Sequence, residues 1–337
     1  MQRPLARLVV VAALSFFLVG HGARASRPAP RPHRAHRLNL DGDFADPFVL
    51  LAGGRYYAFA TGTGGAHLQA AVSSDLAAWT RLPDALPSLP AWAAQSADLT
   101  WAPSVLARGS SYVLYYTTRD AASGFQCISR ATSTSPAGPY VDDSTRPLVC
   151  QVDAGAPLCG SIDPSPFVDG DGTAYLLWKS DENAAACRTS PRLWVRRLSR
   201  DGLALEGEPA ALLARDRPWE GDIIEAPTMV RRDGRYYLFY SANWYASGSY
   251  AIGYAACASV TGPCEKRTAD APFVASAETA LGPGGQEVFA AADGALWVAY
   301  HAWTAPRTDY ESGGARRLRL APLEFTADGA PRPFAPR

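Results

Sequence analysis

The sequence carries no excess charge of either sign, since 32 basic and 32 acidic residues cancel. That balance excludes the electrostatic signature of nucleic-acid binding or of docking on an acidic membrane surface. A second long hydrophobic run is also lacking. After the apolar stretch from Leu8 to Val19, no segment approaches the roughly 20 residues that a bilayer span needs. No two cysteines have the C-x-x-C spacing of a structural zinc site. No long amphipathic helical pattern interrupts the chain. What is present, 47% hydrophobic residues in a chain of 337, is too apolar for disorder and ample for a large core.

The N-terminus reads as an export signal over residues 1–25. Arg3 and Arg7 precede the apolar run, and Ala23, Arg24 and Ala25 form a small-x-small cleavage site. Residues 26–37, rich in Pro and Arg, read as an extended, solvated linker. The folded domain is expected over 38–337, and the mature protein is expected to be a secreted monomer with no membrane association. An even cysteine count in an exported chain favours disulfides. Six cysteines allow fifteen pairings; Cys257–Cys264 and Cys150–Cys159 are expected as local loops, leaving Cys127–Cys187.

The informative feature is an internal repeat. A turn followed by an aromatic-rich strand recurs at 54–61, 110–117, 172–179, 234–241 and 294–301. Each copy follows a proline that heads a short apolar run: Pro47, Pro103, Pro164, Pro227 and Pro283. Strand, tight turn and aromatic strand form a hairpin signal. Further strands follow in most copies. Five units of about 60 residues, each with room for four short strands, describe an all-β, five-bladed β-propeller. The fifth copy has no obvious full set; either the segment 316–325 or the N-terminal segment is expected to complete it.

In a propeller the first strand of every blade lines the axis, so residues at the heads of those strands converge. Asp46 and Asp163 directly precede a proline, Glu225 stands two before Pro227, and Trp101 two before Pro103. Bringing several carboxyls together raises some of their pKa values and costs stability, so the pattern points to chemistry. Two carboxyls flanking a substrate, one protonated and one ionised, form a glycosidase arrangement. The aromatic is suited to stacking on a sugar face.

At these residues the sequence resembles glycoside hydrolase family 43, the propeller arabinanases, arabinofuranosidases and xylosidases. The resemblance rests on Asp46-Pro47 with Arg55, Tyr56 and Tyr57, and on Trp101-Ala102-Pro103 with Tyr112. It continues through Ile162-Asp163-Pro164 with Asp171-Gly172, Glu225-Ala226-Pro227 with Tyr236 and Tyr237, Gly282-Pro283-Gly284, and Tyr300-His301. It implies that Asp46 is the general base, Glu225 the general acid, and Asp163 a third acid that keeps Glu225 protonated. It also implies inversion of configuration, with base and acid roughly 6.5–9.5 Å apart. Arg316 or Arg317 matches the family's substrate-binding arginine, and Trp101, Trp244 and Gln286 are expected to contact sugar. Many members carry His directly after Gly-Pro-Gly, where this chain has Gly285. No cofactor is required for the chemistry; a structural calcium touching His301 is the metal expectation.

The substrate is expected to be an oligo- or polysaccharide carrying α-L-arabinofuranose, with xylose and galactofuranose as alternatives. A carbohydrate-binding propeller without catalysis would lack one of the acids, and none is missing. A sucrose-type fructosyl hydrolase would share three acids, yet its Asn-Asp-Pro-Asn start is absent at Asp46.

Overall fold

Each aromatic strand of the repeat is apolar on both faces because each blade is sandwiched between two others. The computed structural model describes residues 40–150, 159–184, 187 and 189–337. The expected signal peptide over 1–25 and the linker over 26–37 lie outside the described residues. Blade one contains β1 (Phe48–Ala52), β2 (Arg55–Thr61), β3 (Leu68–Ser73) and β4 (Trp79–Leu82). Blade two contains β5 (Trp101–Arg108), β6 (Ser111–Arg119) and β7 (Gln126–Ser133). Blade three contains β8 (Ser161–Val168), β9 (Ala174–Ser180), β10 (Arg192–Leu198) and β11 (Leu205–Ala214). Blade four contains β12 (Ile224–Arg232), β13 (Arg235–Ala242), β14 (Ala251–Cys257) and β15 (Cys264–Lys266). Blade five contains β16 (Ala280–Ala290), β17 (Leu296–Thr304) and β18 (Arg316–Pro322).

All pairings within the blades are antiparallel. The inner strands β1, β5, β8, β12 and β16 pack in sequence around the axis, and β16 returns to β1 to close the ring. Successive side chains of a strand point to opposite faces, and the core divides accordingly into one cluster per blade interface. In β6, Val113 and Tyr115 join the cluster shared with blade three, whereas Leu114 and Tyr116 join the one shared with blade one. In β13, Leu238 and Tyr240 face blade three, and Tyr237 and Phe239 face blade five. Blades one and five meet through Phe44, Val49, Tyr56, Phe289, Trp297 and Leu318.

Both expectations for completing the fifth blade are realised in part. β18 pairs with β17, and the N-terminal segment lies beside β18, the Phe44 N–H donating to the Arg316 carbonyl at 2.8 Å.

The disulfides are Cys127–Cys150, Cys159–Cys187 and Cys257–Cys264. The last was expected; Cys150–Cys159 and Cys127–Cys187 are corrected. Strand geometry decides the matter. The bridge between Ile128 and Val149 brings Cys150 beside Cys127 on β7. The Asp181 N–H donating to the Gly160 carbonyl anchors the segment that leads to Cys187 beside Cys159.

Candidate active site

The residue before the proline has the same unusual backbone in every blade. Asp46, Ala102, Asp163, Ala226 and Gly282 have φ of 52°, 44°, 57°, 50° and 58°. Four of these are not glycine, and a left-handed φ at such a residue costs on the order of 1–3 kcal/mol. In blades two to five it coincides with a register shift between the inner strand and its neighbour. The bulge turns the strand head towards the axis and re-aims its side chains. Asp46 and Asp163 occupy the left-handed position itself. Glu225 and Trp101 stand one residue earlier. The carboxyls therefore reach the axis from two distinct backbone positions.

Asp46, Asp163 and Glu225 line one cavity of about 750 Å³ together with Trp101, Trp244 and Arg316. Asp46 is held by three side chains. Thr61 donates its hydroxyl to Oδ2 at 2.6 Å, and Arg316 Nη1 lies 3.2 Å from Oδ1 and 3.4 Å from Oδ2. His301 Nδ1 accepts the Asp46 backbone N–H at 3.0 Å. Its ring proton therefore sits on Nε2, and the 3.3 Å approach of Nδ1 to Oδ1 brings two acceptors together rather than an ion pair. Burial pushes His301 below the ordinary imidazole value, consistent with a neutral ring. For Asp46, burial alone would raise the carboxyl; the Arg316 charge is the strongest opposing influence, and the balance lies well below the usual carboxylate range.

Asp163 is driven the opposite way. Burial and then the charge of Glu225 hold it well above the usual range, with Lys179 opposing. Its Oδ2 accepts the Ala226 N–H at 2.9 Å, which ties it to the residue next to Glu225. Glu225 accepts the Tyr250 hydroxyl on Oε1 at 2.7 Å and the Lys179 ammonium on Oε2 at 3.2 Å. One carboxylate held ionised faces a pair pressed to share a proton.

The remaining expected residues separate. Arg316 rather than Arg317 enters the cavity: its guanidinium lies 4.8 Å from the Tyr245 ring and donates to the Tyr310 hydroxyl at 2.7 Å, while Arg317 pairs with exposed Asp41. Trp101 lines the cavity, its indole N–H donating to the Asp98 carbonyl. Trp244 is 52% exposed at the rim. Gln286 is buried in the wall with its amide committed at both ends, donating to the Ala226 carbonyl and accepting the Ser241 hydroxyl, each at 2.7 Å.

The donor set does not fit the expected calcium at His301. Nδ1 is taken by Asp46, Nε2 is buried with no partner, and among the described residues no three His, Cys, Asp or Glu side chains are arranged to hold a metal ion. A Cβ on residue 285 would lie 2.5 Å from the His301 ring and 2.7 Å from Asp46 Oδ1. The imidazole occupies space that a side chain after Gly282-Pro283-Gly284 would need.

The sequence pattern described as Glycosyl hydrolases family 43 matches residues 39–331. The chain belongs to this family. A family-43 glycoside hydrolase of known crystal structure, described as thermostable, superposes with a TM-score of 0.76 at 30% identity, covering 88% of this chain and 95% of that one. The beta-D-galactofuranosidase xynD of Aspergillus niger is 30% identical over 237 residues, which are 66% of this chain and 63% of that protein. The extracellular endo-alpha-(1->5)-L-arabinanase 1 of Bacillus subtilis is 27% identical over 260 residues, 72% of this chain and 76% of that protein. The chain thus spans less than two thirds of the length of the galactofuranosidase.

Sequence reasoning missed Thr61, Lys179, Asp181, Tyr250 and Tyr310. A signal existed for Lys179. Only two of the 32 basic residues are lysine, Lys179 and Lys266, and both are 2% exposed and paired with carboxylates. A residue type that normally serves the surface appears here only in buried ion pairs. The tyrosines carried no comparable mark among 15 in the chain.

Proposed function

We propose that the chain is an inverting glycoside hydrolase acting on terminal or internal furanosides, arabinofuranose first. The observation that carries this reading is the opposed electrostatics of Asp46 and the Asp163–Glu225 pair within one cavity. Asp46, kept ionised, takes a proton from a water molecule as the water oxygen attacks the anomeric carbon. Glu225 gives its proton to the glycosidic oxygen as the C–O bond breaks. Asp163 favours the protonated form of Glu225 by its own charge whenever it is ionised. The net change is addition of water across the bond with inversion. Arg316, stacked between Tyr245 and Tyr310, orients Asp46 and presents donors to sugar hydroxyls. No step passes through a metal.

Arabinofuranose is supported by the likeness to the arabinanase. Galactofuranose is the second reading, supported by the likeness to the galactofuranosidase; the two sugars share the five-membered ring. Secretion is supported by the expected signal over 1–25, by three disulfides, which persist in oxidising compartments, and by the name of the extracellular relative. The test is hydrolysis of nitrophenyl arabinofuranoside, galactofuranoside and xyloside and of linear arabinan, with NMR of the first-formed anomer. Glu225→Ala is expected to keep the fold and lose hydrolysis of the polysaccharide; wild-type turnover by that variant would sink the assignment.

A further inference from the structure

The last position of the repeat segment, residue 61, 117, 241 or 301, acts as a latch in four of the five blades. Thr61 Oγ1 accepts the Ala102 N–H at 3.0 Å, and Thr117 Oγ1 accepts the Asp163 N–H at 3.3 Å. Ser241 Oγ accepts the Gly285 N–H at 2.9 Å, and His301 Nδ1 accepts the Asp46 N–H at 3.0 Å. Each ties its blade to the axial strand of the next one around the ring. The same position in blade three is Lys179, whose ammonium has three donors and no acceptor. The N–H it would have received, that of Ala226, goes to Asp163 Oδ2 instead.

Lys179 is thereby released from the ring and turned to other partners. Its Nζ lies 3.1 Å from Asp181 Oδ1 and 3.2 Å from Glu225 Oε2, and the side chain is 2% exposed. A buried ammonium is costly unless well paired, and a threonine at this position would latch the ring without that cost. Structure alone does not account for the lysine.

We propose that Lys179 is a positioning residue for Glu225: clamped between Asp181 and Glu225, its ammonium orients the carboxyl and makes its proton easier to release to the leaving oxygen. The inference rests on the reading of Glu225 as the general acid. The geometry distinguishes the two oxygens. Lys179 can only donate to Oε2, whereas the Tyr250 hydroxyl at Oε1 can turn from donor to acceptor. The transferable proton therefore resides on Oε1. The charged and titratable groups around Glu225 are Asp163 at the head of blade three, Asp46 of blade one, Tyr250 of blade four, and Lys179 with Asp181. Asp163 is itself held above the usual carboxylate range by burial and then by the charge of Glu225, with Lys179 opposing. Burial disfavours the ammonium, and the charges of Glu225 and Asp181 outweigh burial and keep it protonated.

The test is the pH dependence of kcat/KM on an alkyl furanoside, whose poor leaving group requires the acid. Lys179→Met should move the alkaline limb up by about 1–3 pH units, the range for loss of an adjacent opposite charge, and lower kcat. Lys179→Arg keeps the charge and should keep the limb near wild type. Asp181→Asn leaves the ammonium to Glu225 alone and should move the limb down. An alkaline limb for Lys179→Met that superposes on wild type overturns the proposal. If that variant fails to fold, as judged by near-UV circular dichroism, an unmoved limb for Asp181→Asn overturns it. Glu225→Gln is the separate control: full activity with an unchanged alkaline limb would remove the acid reading itself, and the proposal with it.

Discussion

Replacing Arg316 by methionine tests how Asp46, the proposed base, is kept ionised. Arg316 Nη1 contacts both Asp46 oxygens, at 3.2 and 3.4 Å. Among the influences on Asp46, burial is the largest and raises its pKa; the Arg316 charge is the strongest opposing one. Loss of an opposite charge at this range is worth about 1–3 pKa units, or about 1.4–4 kcal/mol at 1.36 kcal/mol per unit. Asp46 must be ionised to accept a proton from water, so the acid limb of kcat/KM should move up by that amount. The stability consequence has a definite sign. A depressed carboxyl contributes stability above its unfolded pKa that is lost as pH falls through the folded value. The variant should therefore melt below wild type at pH 7, with the gap closing in acid. Rates on a nitrophenyl furanoside across pH, with melting curves at each pH, measure both. Thr61→Val, which removes the 2.6 Å hydrogen bond to Oδ2, should move the acid limb in the same direction by less. Loss of activity in both variants with an unmoved acid limb would refute the reasoning.

Other consequences follow from single contacts. Glu287 is half-buried in the cavity wall and pushed up to about 8, chiefly by desolvation and despite the Thr228 hydroxyl. Its contribution to stability is full below the ordinary value of 4.5 and declines as pH rises to about 8, so Glu287→Gln should flatten the alkaline fall in Tm. Gly285→Ala places a Cβ 2.5 Å from His301 at a φ of +57°; it should lower kcat and destabilise by about 1–3 kcal/mol, measured by urea unfolding. Peptide mapping under non-reducing conditions should recover Cys127–Cys150 and Cys159–Cys187. Removing the latter, whose cysteines are separated by 28 positions in sequence, should cost about 3–4 kcal/mol.

Much of the site was legible because the repeat gave each blade the same phase. Asp46 and Asp163 stand before a proline, Glu225 and Trp101 one step earlier, and the structure assigns two backbone positions of one bulge to those two spacings. The roles of the partners that tune the acids were not legible. Thr61, Thr117 and Ser241 close their repeat segments alike, and nothing local marks which of these hydroxyls meets a carboxylate. The disulfides were misread for a related reason: proximity along the chain suggested Cys150–Cys159, whereas the pairing of Ile128 with Val149 fixed which sulfurs meet.

The sequence by itself determined the number of blades, the strands that build them and the three acids at the axis, because hydrophobic period and turn chemistry are local and repeat five times. Only the tertiary structure decided which acid is held ionised and which is pressed to keep a proton. That choice depends on charges brought from other blades, Arg316 to Asp46 and Glu225 to Asp163, and an interaction between groups 270 residues apart in the first case has no trace in local sequence.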